Sequence, residues 1–285
     1  CTALHPGDPV EELLVFDLDG TLIDGEDCIT DLTRTALNKL DELGVAWTVA
    51  TGRMPHGGRE ALPDVRFRHP QAYKNGVLIW DLNENVRINA QPMDPMELVE
   101  VCRRLEVHGI NPWLNTLDHE DRIGAVIRRI GTEREEAWAK YMESQAINVQ
   151  LNADFSSIQE QILNVFAVTE NQKVLYMAEE LADIPNVQVY AGPDMYREGY
   201  YWMDIHHISG TKGDAVKFLQ RQTGAKRLVC FGDSDNDVSM FKLADEAYAM
   251  ENALDEVKAV STGIIGKNTD SAIAYFLAER YGFSL

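Results

Sequence analysis

An α/β fold, a parallel-sheet core with a second, α+β domain inserted into it, is predicted for this 285-residue chain by three features. Short apolar runs rich in β-formers alternate with polar loops and amphipathic helices at both ends of the chain, the pattern of a sheet covered on both faces. Three of those runs end abruptly on polar residues, at Asp17, Thr51 and Asp233. Between about 93 and 203 the alternation gives way to paired strands between helices.

Each element follows from a local pattern. Leu13-Leu14-Val15-Phe16 reads as a buried strand that enters a polar loop at Asp17. Thr30 is placed to cap a helix. Leu32, Ala36, Leu40 and Leu43 fall on one face of it, and Gly44 supplies its stop. Val45 to Ala50 is a second strand, ending at Thr51-Gly52-Arg53. Gly76 to Trp80 is a third, and Asn83 to Asn85 suggests a hairpin back through Val86 to Ile88. Asp94-Pro95 then opens a helix that runs to about Val107. Strand-like runs near 111–116 and 123–130, a helix near 133–144, a strand from Leu163 to Thr169, a helix from Lys173 to Ala182 and strands near 187–191 and 200–206 complete the inserted unit. The first pattern returns with a helix from Thr211 to Gln222, closed by Gly224, and a strand from Leu228 to Phe231. Helices from Asp235 to Leu243 and from Asp270 to Tyr281 follow. Strand carboxyl ends of such a Rossmann-like sheet gather at one edge, where ligands bind, so Asp17, Thr51 and Asp233 are expected to converge. The division expected is a core of residues 1–92 and 204–285 with the α+β unit over 93–203.

Charge and composition limit the partners. Acidic residues outnumber basic ones by 46 to 26, a net charge of −20, which disfavours nucleic acid and anionic membrane because both need a basic surface. No apolar run approaches the ~18 residues of a membrane helix. Cys1 to Glu12 show no basic start followed by an apolar stretch, so no signal peptide is visible. A missing native start is the first reading of a chain that begins at Cys1, and a lipoprotein start the second. Cys28, Cys102 and Cys230 have no C-x-x-C pair and no nearby His at metal spacing. They are expected to be buried in a reducing compartment, and the protein to be cytoplasmic.

Four polar motifs stand at the ends of these strands and helices. Asp17-Leu18-Asp19-Gly20-Thr21 follows the first strand, so two carboxylates can point into one pocket, which is costly unless a cation neutralises them. Taken alone, a solvated Asx turn explains it equally well. Gly232-Asp233-Ser234-Asp235-Asn236-Asp237 follows another apolar strand and opens a helix, where capping is the alternative. Two acidic loops at buried strand ends make an oxygen cage suited to Mg²⁺, and the spacing is not that of an EF-hand. Thr51-Gly52-Arg53 offers a hydroxyl, an adaptable backbone and a guanidinium that can hold phosphate. Gly210-Thr211-Lys212-Gly213 has the tail of a P-loop without its earlier Gly. Lys212 matters as a cation beside the acids.

Together, Asp17-Leu18-Asp19-Gly20-Thr21, Thr51, Lys212 and Gly232-Asp233-x-x-Asn236-Asp237 resemble the four ordered motifs of the haloacid dehalogenase (HAD) superfamily. The inserted unit is similar to the type C2 cap domain of the Cof-like, type IIB branch. Lys74-Asn75-Gly76-Val77 and Trp202-Met203-Asp204-Ile205 resemble that branch's strands at either side of the cap, although His206 to Thr211 makes a longer approach to Lys212. The resemblance implies a phosphatase in which Asp17 attacks phosphorus and Asp19 serves as acid and then base. Mg²⁺ would be held by Asp17, Asp233, the main-chain carbonyl of Asp19 and, through water, Asp237. Lys212, Thr51 and main-chain groups around Leu18, Gly20 and Gly52 would steady the phosphoryl oxygens, and Asn236 either a substrate oxygen or its own loop. The cap would select the leaving group of a small phosphorylated metabolite. Trp113, His119, Arg122 and Arg197, with Arg53 from the core, are candidate contacts, each with an ordinary core or surface role as its rival. A phosphotransferase or mutase on the same motifs is the competing enzyme, and an inactive phosphate-binding protein the competing non-enzyme. The retention of Asp17, Asp19 and Asp233 opposes the second.

Overall fold

A computed structural model describes residues 10–23, 28–152, 154–194 and 197–285; residues 1–9, read above for a signal segment, lie outside them. The chain divides into two compact units, Cys1–Asn89 with Gly210–Leu285, and Ala90–Ser209.

The first unit begins with β1 (Glu12–Phe16), α1 (Asp31–Leu43), β2 (Ala46–Val49) and α2 (Pro55–Ala61), then β3 (Gln71–Tyr73), β4 (Leu78–Asp81) and β5 (Val86–Ala90), which form a small sheet of their own. The second unit runs through α3 (Pro95–Val107), β6 (Trp113–Leu117), β7 (Ile123–Ile127), α4 (Glu133–Ser144), β8 (Asn148–Leu151), β9 (Gln161–Thr169), α5 (Met177–Glu180), β10 (Val187–Pro193) and β11 (Tyr201–His207). The chain then completes the first unit with α6 (Lys212–Thr223), β12 (Arg227–Gly232), α7 (Val238–Phe241), β13 (Glu246–Met250), α8 (Asp255–Ala259), β14 (Gly263–Ile265) and α9 (Ala272–Tyr281).

The main sheet has the order β14-β13-β12-β1-β2 and is parallel throughout. β1 lies inside it, and Leu13, Leu14, Val15 and Phe16 are all fully buried, which is why its sequence is apolar without alternation. Leu13 and Val15 pack with Val216, Leu219, Leu228 and Cys230. Phe16 stacks on Phe231 with ring centroids 4.7 Å apart, and Phe231 meets Phe276 of α9 edge-on. Thr30 caps α1 by accepting from the Thr33 N–H, and Gly44 ends it at φ 75°. The buried stripe of α1 is Thr33, Ala36, Leu37 and Leu40, whereas Leu32 and Leu43 are 36% and 54% exposed. The expected face is therefore rotated by about one residue, because Leu37 rather than Leu43 completes the inward stripe.

In the second unit the sheet order is β10-β11-β9-β6-β7-β8. The strand pairs are antiparallel except β7 with β8, which are parallel and joined by α4, so the expected antiparallel sheet contains one parallel pair. Leu98, Val101 and Leu105 of α3 pack with Leu114, Val165, Met203 and Ile205 of the sheet. Trp113, Ala125 and Ile127 pack with Ala139 and Met142 of α4. A buried polar chain crosses three strands: Asn115 Nδ2 donates to Asn164 Oδ1 at 2.9 Å, and Asn164 Nδ2 to Asp204 Oδ1 at 2.6 Å.

Other expectations change in detail. The helices expected at 173–182 and 235–243 each form as a 3₁₀ turn running into a single α-turn. α2, β3, β8, β13, α8 and β14 were not predicted. Two glycines in α2 argue against a helix by propensity, yet Pro55 opens it, and a Cβ on Gly58 would lie 2.5 Å from the Tyr73 ring. Cys102 and Cys230 are buried as expected, but Cys28 is exposed, since it lies in the loop ahead of α1 rather than on an inward face. Among the described residues, no helix is long and apolar enough to cross a membrane.

Where β3 leads into β4, Lys74, Asn75 and Gly76 all have positive φ, of 48°, 59° and 112°. A Cβ on Gly76 would lie 2.3 Å from the carbonyl oxygen of Thr211, the cap of α6. Gly76→Ala is expected to destabilise the protein by about 2 kcal/mol or more, read as a lower Tm. An unchanged Tm would show that this approach is not close.

Candidate active site

β1 and β12 are neighbours in register, and the Asp17 N–H continues their ladder by donating to the Phe231 carbonyl at 2.9 Å. The residues that follow the two strands, Asp17 and Asp233, are thereby brought side by side. Two glycines make the approach close. Gly20, at φ 72°, would place a Cβ 2.4 Å from Asp233 Oδ2, and Gly232 would place one 2.5 Å from the Asp237 carboxyl.

Asp17, Asp233 and Asp237 each bring a carboxylate oxygen within 4.8 Å of the others. Lys212, the first residue of α6 after the Thr211 cap, sends its Nζ to Asp17 Oδ1 and to Asp237 Oδ1, both at 2.6 Å. Neither Lys212 nor Asp237 has any exposed surface. Asp237 Oδ2 accepts from the backbone N–H groups of Asp233 and Ser234 at 2.9 and 3.0 Å, which folds the 232–237 loop around that carboxylate.

Burial, followed by the Asp237 charge, holds the Asp17 carboxyl well above the ordinary range, against the pull of Lys212. The same two causes raise Asp233 to about 6, opposed by Lys212 and by the hydroxyl of Thr21, which donates to Asp233 Oδ1 at 3.2 Å. Burial works against the charge on Lys212, but Asp17 and Asp237 outweigh it and raise its ammonium. Three carboxylates, two buried and one half-buried, thus face one buried ammonium. An all-oxygen donor set with unbalanced negative charge fits a hard divalent cation.

The neighbouring loops bring in the remaining groups. Thr51 is fully buried after β2; its N–H donates to the Ala72 carbonyl, and its Oγ1 accepts from the Arg53 N–H at 3.1 Å. Leu18 and Gly20 form the turn after Asp17, and Leu18 is buried. Asn236 Nδ2 donates to Asn75 Oδ1 at 2.9 Å, while Asn236 Oδ1 is buried without a hydrogen-bond partner. Asn75 is the residue to which the sequence reading gave no role. Its N–H donates to the Thr51 carbonyl, and a Cβ on Gly52 would lie 3.2 Å from its Oδ1. The signal for it was the Asn-Gly pair, since Asn tolerates the left-handed backbone found there.

Asp19 stands apart from the three-acid cluster, with its carboxylate on the guanidinium of Arg53, 2.6 Å from Nη2. Trp113 is 1% exposed and packs among Ala125, Ile127 and Met142, on the face of the sheet that α4 covers. His119 and Arg122 lie in the β6–β7 turn with side chains 85% and 69% exposed, and Arg122 pairs with Asp118 and Glu120, both at 2.7 Å. Arg197 lies over the Tyr200 ring, 4.7 Å from its centroid. None of these four belongs to the clustered set.

Residues 14–277 match the family model of haloacid dehalogenase-like hydrolases. The chain belongs to that family. Over 281 residues this HAD-like hydrolase is 26% identical to a pyridoxal phosphate phosphatase of Escherichia coli, spanning 93% of this chain and 97% of the relative. Over 285 residues it is 25% identical to a 5-amino-6-(5-phospho-D-ribitylamino)uracil phosphatase of Bacillus subtilis, spanning 93% and 96%. A solved HAD subclass IIB sugar phosphatase superposes with a TM-score of 0.73 at 22% identity, over 95% of this chain and 99% of that one. The expected α/β fold and the expected membership of the HAD superfamily therefore stand.

Proposed function

We propose that this HAD-like hydrolase cleaves small phosphate monoesters, sugar phosphates or similar metabolites, through an aspartyl-phosphate on Asp17, with Mg²⁺ as its cofactor. The observation that carries the reading is Asp17 at the end of a fully buried strand, held by Lys212 beside Asp233 and Asp237. A buried carboxylate so placed has little use in stability, since its neighbours raise its cost. It is well placed as a nucleophile.

In the first step an Asp17 oxygen bonds to phosphorus while the bond to the leaving oxygen breaks, and Asp19 gives that oxygen a proton. In the second, Asp19 takes a proton from water as the water oxygen attacks phosphorus, which frees Asp17 and releases phosphate. Lys212, Thr51 and the main chain at Leu18, Gly20 and Gly52 hold the equatorial oxygens. Asn236, bonded to Asn75, steadies its own loop. Asp17 and Asp233, with Asp237 through water and the Asp19 carbonyl, would hold Mg²⁺, which supplies positive charge against the clustered acids. Small metabolites are favoured by the relatives, whose names carry such substrates, and nucleic acid is disfavoured by the net charge of −20.

A panel of phosphate monoesters, assayed for phosphate release with water as sole acceptor, tests this reading. Activity is expected to vanish with a chelator and to return with Mg²⁺ but poorly with Ca²⁺, whose looser coordination misplaces the reacting groups. Mg²⁺ is also expected to raise the Tm of the wild type and to do so far less in Asp233→Asn. Full activity in metal-free buffer would refute the metal requirement.

A further inference from the structure

In sequence, Arg53 closes the Thr51-Gly52-Arg53 turn, where a guanidinium is expected to meet phosphate or to select substrate. In the structure it is committed to Asp19. Arg53 Nε lies 3.1 Å from Asp19 Oδ1 and 3.0 Å from Oδ2, and Nη2 lies 2.6 Å from Oδ1. We propose that Arg53 is the positioning residue of the reaction, a fork that aims the Asp19 carboxylate at the leaving oxygen. The inference rests on the reading of Asp19 as acid and base given above.

Three observations support a positioning role. Asp19 sits in an irregular turn after β1, with φ −69° and ψ 124°, and its side chain is 37% exposed. A carboxylate so exposed would sample several rotamers, and a proton donor contributes only from the correct one. Arg53 is itself fixed: its side chain is 18% exposed, its N–H donates to Thr51 Oγ1 at 3.1 Å, and its carbonyl accepts from the Lys74 N–H at 2.9 Å. A planar guanidinium sets the orientation of a carboxylate in a way that a single ammonium cannot. The fork is also uneven. Oδ1 takes two contacts and Oδ2 one, so Oδ2 keeps a lone pair for the proton in transit. From Oδ2 the proton would pass to the leaving oxygen as its bond to phosphorus breaks, and to Oδ2 the water proton would return in the second step.

The test compares an alkyl phosphate that the wild type hydrolyses with 4-nitrophenyl phosphate, whose leaving group needs no proton. Arg53→Met is expected to lower kcat/KM for the alkyl ester by ~30-fold or more and for the aryl ester by less than ~3-fold. Arg53→Lys keeps the charge without the fork and is expected to show the same selective loss. In an Asp19→Asn background, Arg53→Met is expected to add no further loss on the alkyl ester, because the group it positions is gone. Equal losses on both esters, or losses that add in the double variant, would overturn the proposal and assign Arg53 to phosphate or substrate binding, with hydrolysis itself intact. A wild type that releases phosphate from no ester would instead overturn the hydrolase reading, and this proposal with it.

Discussion

Asp17→Asn is expected to lower phosphate release by ~10⁴-fold or more while leaving the protein folded. An amide oxygen cannot form the acyl phosphate, and no other described carboxylate shares Asp17's position at the end of β1. The same change is expected to leave the metal-free protein as stable as the wild type or more so. Burial and then Asp237 raise the Asp17 carboxyl, so the folded state binds that proton more tightly than the unfolded chain does. Stability from such a group is present below the unfolded value and is lost as pH rises through the folded one. At neutral pH that upward shift makes Asp17 a cost to the metal-free fold, which the amide removes. Lys212 loses one partner and keeps Asp237. Thermal unfolding in chelator at neutral pH reads this out. A variant that retains wild-type turnover, or one with a much lower Tm, would contradict the assignment of Asp17 as a site residue held against its own electrostatics.

Lys212→Met is expected to reverse that balance. The ammonium is fully buried and lies 2.6 Å from two carboxylates, so its removal leaves both without their cation. The expected loss is about 3–5 kcal/mol of stability, together with ~100-fold or more in phosphate release. Adding Asp237→Asn should restore part of the Tm without restoring activity, because one of the stranded charges is gone while the phosphoryl oxygens still lack the ammonium. A Tm within a degree or two of wild type would mean that the two acids are neutralised by some other route.

Much of the site was legible because its residues interrupt strong local patterns. Asp17 and Asp233 each end a continuous apolar run, and the cap residue Thr211 marks where Lys212 starts a helix. Such signals need only neighbours in sequence. Asn75 shows the opposite case, since its place beside the site depends on a left-handed backbone and on Asn236, which lies 161 positions away. β13 and β14 were missed for a related reason. Glu-Ala-Tyr-Ala-Met and Gly-Ile-Ile are weak strand sequences, made strands by pairing with β12 and with each other. The candidate contacts of the second unit were chosen by side-chain chemistry alone. β6 is buried on both faces, between α3 and α4, which alternation in its sequence does not announce, whereas Asp118 four residues before Arg122 announced a local pair. Arg53 was expected at phosphate or substrate, and nothing in the sequence announces that its fork meets Asp19.

The central claim, a covalent phosphoryl group on Asp17, is tested most directly by trapping it. The Mg²⁺-loaded enzyme would be mixed with 4-nitrophenyl phosphate, quenched in acid within the first turnovers, reduced with borohydride and digested for mass spectrometry. Borohydride converts an aspartyl phosphate to homoserine, so the expected result is homoserine at position 17, dependent on substrate and absent from Asp17→Asn. Unmodified Asp17 in an enzyme that still releases nitrophenol in a burst, or reduction at a different carboxylate, would contradict it.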